Sequence, residues 1–378
     1  MSKKNFDIYF DLGASKIRVA GFDIVENNQI FFLENNCLTS LKTNQLDLSI
    51  TDQTLEKMIL EIEKKTGEYL NSINLMLDSP EALSISLSVS KKNEKKFLEK
   101  EDIEYLIQDA KQQVLSAYQD KSIIHIVTSN YKVNNHEYAS LPLNIECNKF
   151  SIDIVFICFP KVIIENLEKL FSKHQISIDN FICSSYAKSL NYKSNFFLNE
   201  NILFVDVGFK KTSIIYYNKN EIIFFDVLPI GGNHITSDIS KILNLNMEES
   251  ENIKINFDQQ KNILNEKKIS ANLVQQIISA RIEEILELSL KTIKLNLDFA
   301  LLDQHKVVLM GDGSIILDSE FKEKISFSKK IELIEESTED ICESAFKLIG
   351  GFNKQEVVII PKKAKKKGFF EKLFHLFR

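Results

Sequence analysis

The sequence predicts an α/β fold built as two related lobes, and three observations lead there. An apolar stretch ending in aspartate, a turn through glycine and a second apolar stretch occur near the start, as IYFDLGASKIRVAGFDI. The same unit returns about 195 residues later, as ILFVDVGFKKTSIIYYNKNEIIFFDVL; such self-similarity marks a duplicated supersecondary unit. A third apolar stretch, VVLMGDGS, runs into another glycine turn. Between these, segments of helical and strand period are interspersed, as in mixed α/β construction.

In the first repeat a strand ends at Asp11, the chain turns through Gly13, and a second strand covers 17–22. TDQTLEKMILEIEKKTGEYL then sets Leu55, Met58, Ile62 and Leu70 at helical spacing. Residues 73–95 read as alternating strands, LSISLSVS most clearly. EDIEYLIQDAKQQVLSAY is an amphipathic helix, strands are expected around 123–127 and 151–158, and KVIIENLEKLFSKH is another helix. The second repeat has a strand ending at Asp206, a turn at Gly208 and strands near 213–217 and 222–227. From Asn272 a long helix carries Val274, Ile278, Ile282, Ile285 and Leu286 on one face. VVLMGDGS reads as a strand, a glycine turn and a helix start, and linker composition begins after Gly351.

The 378 residues, 44% of them hydrophobic, suffice for two domains or a divided one. The five cysteines are scattered and never in C-x-x-C spacing, which suggests neither a disulfide framework nor a zinc site and fits a reducing cytoplasm. Asp7 and Asp11 interrupt any signal-like opening, and no run of about eighteen apolar residues exists to span a bilayer. Charge is unevenly placed: residues 362–378 hold seven basic residues and one acidic, a net +6 in a chain whose total is −6. The remainder therefore stands at −12, which argues against a nucleic-acid-binding core and for a tail with its own task.

Aspartate before x-Gly at a strand end has a chemical reading. Backbone N–H groups in a tight turn form an anion site, glycine lets the backbone approach a phosphate, and a neighbouring carboxylate can hold Mg²⁺ directly or through water. One such turn alone is more simply a hairpin. Three of them, at Gly13, Gly208 and Gly311-Asp312-Gly313, can converge on one nucleotide between lobes.

The order DLGASK, DVGFKKT, MGDGS resembles the actin/Hsp70/sugar-kinase ATPase superfamily. Within it, LPIGGNHITSDISKILNLNMEESENIK, IISARIEEILEL and ESAFKLIGGF are similar to the bacterial cell-division protein family FtsA, across nearly the whole chain. The resemblance implies an actin-like two-lobe ATPase fold that binds ATP and Mg²⁺. Asp11, Gly13, Ser15 and Lys16 would face the phosphates from one lobe, and Asp206, Gly208 and Thr212 from the other, with Mg²⁺ held through Asp11 and Asp206. Glu251 and Lys254 would contact ribose or adenine, Gly311, Asp312, Gly313 and Ser314 would back the adenosine, and Gly231, Gly232 and Asn233 would shape the loop entering the second lobe. Glu251 and Lys254 alone would pass for a surface pair on a helix.

By the same resemblance, lobe 1 takes residues 1–71, 160–198 and 336–352, and an FtsA-type inserted subdomain takes 72–159. The core of lobe 2 takes 199–240 and 300–335, and its outer subdomain 241–299. A basic linker and membrane helix take 353–378. Implied partners are the C-terminal peptide of FtsZ, with Arg281 an anion contact for it, further copies of the chain in filaments, other divisome proteins and an anionic membrane surface. Nucleic acid is not implied. The implied place is the cytoplasmic side of the inner membrane at the division septum.

Three departures bear on activity. The family's second turn reads D-x-G-G-G-T, whereas here Phe209, Lys210 and Lys211 follow Gly208 and the threonine comes one place late. Those lysines could supply positive charge in place of close backbone approach. Asp312 stands where a second glycine is usual, placed either to bond ribose or to repel phosphate. Ser184 occupies the position where active relatives carry a water-positioning Glu or Gln, and a serine is a poor base at neutral pH. ATP binding with weak or absent hydrolysis is expected.

The tail, KKAKKKGFFEKLFHLFR, completes the reading. On a helical wheel Phe369, Phe370, Leu373, Phe374, Leu376 and Phe377 span about 160° of arc, with Lys365, Lys366 and Lys367 just upstream. This is the pattern of an interfacial helix beside anionic headgroups, each lysine contributing about 1 kcal/mol and each buried Phe or Leu roughly 1.5–3 kcal/mol before ordering costs. A helix docked on the body, or a calmodulin-type target, is the other reading. For the whole chain the alternatives are a sugar-kinase-type phosphotransferase, which would need a sugar cleft and catalytic carboxylate, and an actin-like pilus-assembly protein, expected to lack the terminal helix.

Overall fold

The computed structural model describes residues 6–36, 48–138, 142–219, 221–257, 269–297, 305–314, 331–350 and 357–359. Two five-stranded sheets are built alike. The first joins β1 (Phe6–Leu12), β2 (Lys16–Asp23), β3 (Gln29–Asn36), β4 (Ser72–Leu77) and β9 (Ser177–Cys183) in the order β3-β2-β1-β4-β9. The second joins β10 (Asn201–Val207), β11 (Thr212–Asn218), β12 (Glu221–Leu228), β13 (His305–Met310) and β14 (Ile331–Leu333) in the order β12-β11-β10-β13-β14. Each is an antiparallel meander of three strands extended by two parallel ones. The sequence repeat is thus a repeat of topology.

Helices cover both sheets. α1 (Leu48–Thr66) buries Leu55, Met58 and Ile62, and α3 (Lys161–Lys173) buries Leu167, Leu170 and Phe171, in the core of the first lobe. α4 (Ser184–Lys193) and α8 (Thr338–Ile349) pack on each other; α8 lies on β1 and β2, and α4 touches strands of both sheets. The Ser337 hydroxyl accepts the Asp340 N–H at 3.1 Å and caps α8. The outer face of the second sheet carries α5 (Gly232–Leu243), α6 (Met247–Ile255), capped by Asn246, and α7 (Ala271–Asn296), capped by Ser270. Val274, Ile278, Ile282, Ile285 and Leu286 of α7 are buried there, on the face that their spacing predicts. Among the described residues no helix is long and apolar enough to cross a membrane.

A third sheet stands apart from this duplicated plan. β5 (Leu83–Phe97), β6 (Lys121–Val133), β7 (His136–Tyr138) and β8 (Glu146–Pro160) form it, with α2 (Lys100–Ala117) on one face and its own apolar core beneath. The expected subdomain boundary at residue 72 falls inside the first sheet, because β4 pairs with β1 and β9; the third sheet begins at Leu83. β15 (Val357–Ile359), within the expected linker, pairs antiparallel with His125–Val127 of β6. The tail residues Lys365, Lys366, Lys367, Phe369, Phe370, Leu373, Phe374 and Phe377 lie outside the described residues.

His125 sits where the third sheet meets the first lobe, fully buried. Its Nε2 accepts the Cys183 N–H at 2.9 Å, which puts the ring proton on Nδ1, a buried atom with no partner among the described residues. Burial pulls the imidazole down from 6.5 to about 3, against the weaker pull of Asp78. The unfolded chain therefore takes up a proton that the fold refuses, and stability falls as pH drops below 6.5, by about 1.4 kcal/mol per unit. Urea midpoints measured from neutral pH down to about pH 4 should decline in the wild type and more shallowly in His125→Gln; parallel declines would assign the acid sensitivity to other groups.

Candidate functional site

Strand alternation decides which side chains reach the space between the lobes. On β10, Leu203, Val205 and Val207 enter the outer core under α5 and α7, so Ile202, Phe204 and Asp206 face the first lobe. On β1, Phe10 stacks edge-on against Phe171 of α3 and Tyr9 against Phe346 of α8, so Asp11 points to the α4 and α8 side. The turn after β1, the turn after β10 and the turn after β13 then open onto one cleft, lined by Asp11, Gly13, Ser15, Asp206, Gly208, Gly311 and Asp312.

The cleft holds charged groups that the sequence reading passed over. Arg18 is the cross-strand neighbour of Asp11, and its guanidinium reaches Asp11 at 3.4 Å, Glu34 at 3.2 Å and Asp312 at 2.5 Å. Its three carboxylates outweigh burial and raise its pKa further. The other oxygen of Asp11 accepts the Ser184 hydroxyl at 2.8 Å. Lys188, one turn along α4, places its ammonium 2.7 Å from Asp206 and 3.1 Å from Glu336. Burial opposes that charge, but the two carboxylates hold the ammonium protonated well above the usual lysine range. Burial also pushes the Asp206 carboxyl up to about 7, with Glu336 adding to the push and Lys188 opposing it. Asp78, at the end of β4, accepts the Ser185 N–H at 3.1 Å at the start of α4, and its carbonyl accepts from the Lys211 ammonium.

Other expected residues lie beside the cleft rather than in it. The Lys254 ammonium donates to the Gly232 carbonyl at 3.1 Å and the Thr236 hydroxyl at 2.8 Å and pairs with Glu251 at 2.6 Å. Gly232 and Gly313 are neighbours there, and Phe209 lies 5.2 Å from the Lys254 nitrogen. The expected adenosine residues on α6 and at the third turn are thus brought together. Gly232 and Asn233 donate backbone bonds to the Gly208 and Phe209 carbonyls, tying α5 to the second turn. Lys16 pairs with Glu34 at 2.9 Å. Thr212 does not face the cleft: it is fully buried and donates to the Ile230 carbonyl at 2.7 Å. The Ser314 side chain is outside the described set. Arg281 pairs with Asp238 at 2.6 Å and with Glu284 on its own helix.

The cavity measures about 80 Å³, whereas small-molecule sites run to roughly 300–1,000 Å³. The turns and cations suit a polyphosphate, and the cleft as it stands is narrower than such a ligand needs. Mg²⁺ fits poorly on the carboxylates expected to hold it. Mg²⁺ needs oxygens at about 2.0–2.1 Å in octahedral array and keeps several waters. Asp11 is already taken by Arg18 and Ser184, and Asp206 by Lys188. Among the described residues no three metal-ligating side chains converge.

This geometry has counterparts. The chain superimposes on PilM of a PilM-PilN type IV pilus biogenesis complex with TM-score 0.55 and 12% identity, covering 89% of each chain. It superimposes on MreB5 of Spiroplasma citri bound to AMPPNP with TM-score 0.51 and 11% identity, covering 93% of this chain and 98% of that one. The fold is that of the actin-like ATPases. Residues 203–364 match the model of the family described as cell division protein FtsA. The cell division protein FtsA of Buchnera aphidicola is 23% identical over 96% of this chain and 94% of its own, and that of Enterococcus faecalis 22% over 76% and 70%. The chain is thus a distant homologue of the FtsA proteins.

At the third turn Gly311 has φ +89, and a Cβ there would lie 2.3 Å from an Asp206 carboxylate oxygen and 2.6 Å from the Val207 carbonyl oxygen. Gly67 has φ +70, and a Cβ there would meet no described atom within 4 Å. Gly67→Ala should cost about 1 kcal/mol from backbone strain alone, and Gly311→Ala roughly 3 kcal/mol or more because the carboxylate must also move. Urea titration of both variants checks this; equal losses would remove the close approach at the third turn.

Proposed function

We propose that the chain is an ATP-binding, actin-like cell-division protein that anchors FtsZ polymers to the cytoplasmic face of the inner membrane at the septum. The observation that carries the nucleotide half is the convergence of three glycine turns, one per strand end, on a single interlobe cleft. Polyphosphate would lie between the first and second turns, among Arg18, Lys210 and Lys211, and the adenosine beside Gly232, Lys254 and Gly313. Entry breaks Arg18–Asp312, a pair that bridges the lobes, so nucleotide occupancy and lobe angle are coupled. Hydrolysis is weak, because Ser184 offers only a hydroxyl bonded to Asp11 where a water-activating group is needed. Calorimetry should find ATP binding, weakened at least tenfold (about 1.4 kcal/mol) by Lys211→Glu, with turnover below about 1 s⁻¹. Absence of ATP binding defeats the nucleotide reading, and faster turnover defeats the weak-hydrolysis reading.

The membrane half rests on the tail's sequence. Its apolar face and lysine run supply both attractions of an interfacial anchor, and a ten-residue helix of this kind is marginal in water and folds on contact with a bilayer. The family supplies the partners, FtsZ, other divisome proteins and further copies of the chain in filaments. Full-length protein should pellet with anionic liposomes, less at high salt as lysine charge is screened. A variant ending at residue 361, and Phe374→Glu, should stay in the supernatant while keeping ATP affinity. Equal pelleting of Phe374→Glu would make the tail a docked helix or a protein-binding motif.

A further inference from the structure

The Lys188 ammonium lies at the base of the cleft, between two carboxylates delivered by different parts of the fold. Asp206 ends a central strand of the second sheet, and Glu336 precedes α8. The side chains of Lys188, Asp206 and Glu336 are 7%, 7% and 1% exposed, so water does not mediate these contacts. The Glu336 oxygen that meets Lys188 also accepts the Gly311 N–H at 2.8 Å, which ties the cluster to the third turn.

A cation on paired carboxylates beside a phosphate-binding turn is the task that a divalent metal performs in such a cleft. An ammonium has the same sign and donates through N–H bonds, and it needs no hydration shell. Its nitrogen, 2.7 Å from Asp206, already neutralises that carboxylate, and a dication beside the ammonium would be repelled. Ser184 and Arg18 occupy Asp11 in the same way.

We propose that Lys188 replaces the divalent cation in this cleft, so that its carboxylates bind no Mg²⁺ and a nucleotide polyphosphate is held by lysine and arginine alone. The second clause rests on the nucleotide reading above; the first stands independently. Mn²⁺ titration followed by electron paramagnetic resonance tests the first without nucleotide. Wild type should show no bound Mn²⁺ that Asp206→Asn removes. Lys188→Met should gain a saturable Mn²⁺ site, lost again in Lys188→Met/Asp206→Asn. A wild-type site abolished by Asp206→Asn, or a folded Lys188→Met variant that gains none, overturns the proposal. If Lys188→Met does not fold, wild type against Asp206→Asn decides. The second clause is read from the affinity of a fluorescent ATP analogue for wild type in Mg²⁺ and in EDTA. Equal affinity within about twofold is expected, and a tenfold or greater loss in EDTA, 1.4 kcal/mol or more, overturns it. No binding in either condition would defeat the nucleotide reading, while the Mn²⁺ result still decides the metal question.

Discussion

The cleft depends on one constraint, the period-two alternation of strands in two sheets that are each covered on both faces. A strand buried on both sides must be apolar almost throughout, so a polar residue can enter only where the strand ends. Asp11 and Asp206 sit at those ends, on the faces turned toward α4 and α8. Because the two sheets share one strand order, their ends face one another across those helices. Duplication of the fold and a shared site are one geometric fact.

Carboxylates gathered in this way repel one another and lose hydration, and the chain supplies its own cations to offset that. Arg18 answers Asp11, Glu34 and Asp312, while Lys188 answers Asp206 and Glu336. Buried pairs of this kind add little net stability, but loss of one member leaves an uncompensated charge and costs about 3–5 kcal/mol. Arg18–Asp312 and Lys188–Asp206 join one lobe to the other, as does the bond between the Ser189 and Tyr217 hydroxyls at 3.0 Å, while Ser84 of the third sheet bonds the Phe225 carbonyl at 2.8 Å. Charge pairing across the cleft thus adds to the apolar core that already joins Ile202, Phe204 and Tyr217 to the first lobe. A polyanion competing for those cations would change the angle between lobes, the kind of hinge motion that ligands drive in two-lobed proteins.

The third sheet illustrates how packing adds to this plan. One face of β6 and β8 meets α2, and the other joins the first lobe's core through Ile124, Val127, Val155, Ile157 and Phe159. His125 is enclosed there and accepts a backbone proton from Cys183, the residue that precedes α4. The position of α4, and with it Ser184 and Lys188, is thus coupled to the third sheet.

The sequence by itself determined the elements and their doubling. Apolar runs ending in Asp11 and Asp206, the third glycine turn and the face of α7 that is buried were all legible, because each depends on local periodicity. Asp78 could have been found by the same rule, since LMLDSP is an apolar run ending in aspartate before a turn. Lys188 could not. In SSYAKSLNYK a lysine reads as a solvated position, and only the clamping of α4 against strands of both sheets buries it. Its partner Glu336 is 148 residues away, and Arg18 meets Asp312 across 294. Which charges neutralise which, how narrow the cleft is, and that Thr212 turns away toward Ile230 were decided by tertiary structure. Such pairings depend on distances between elements, and no local pattern encodes a distance.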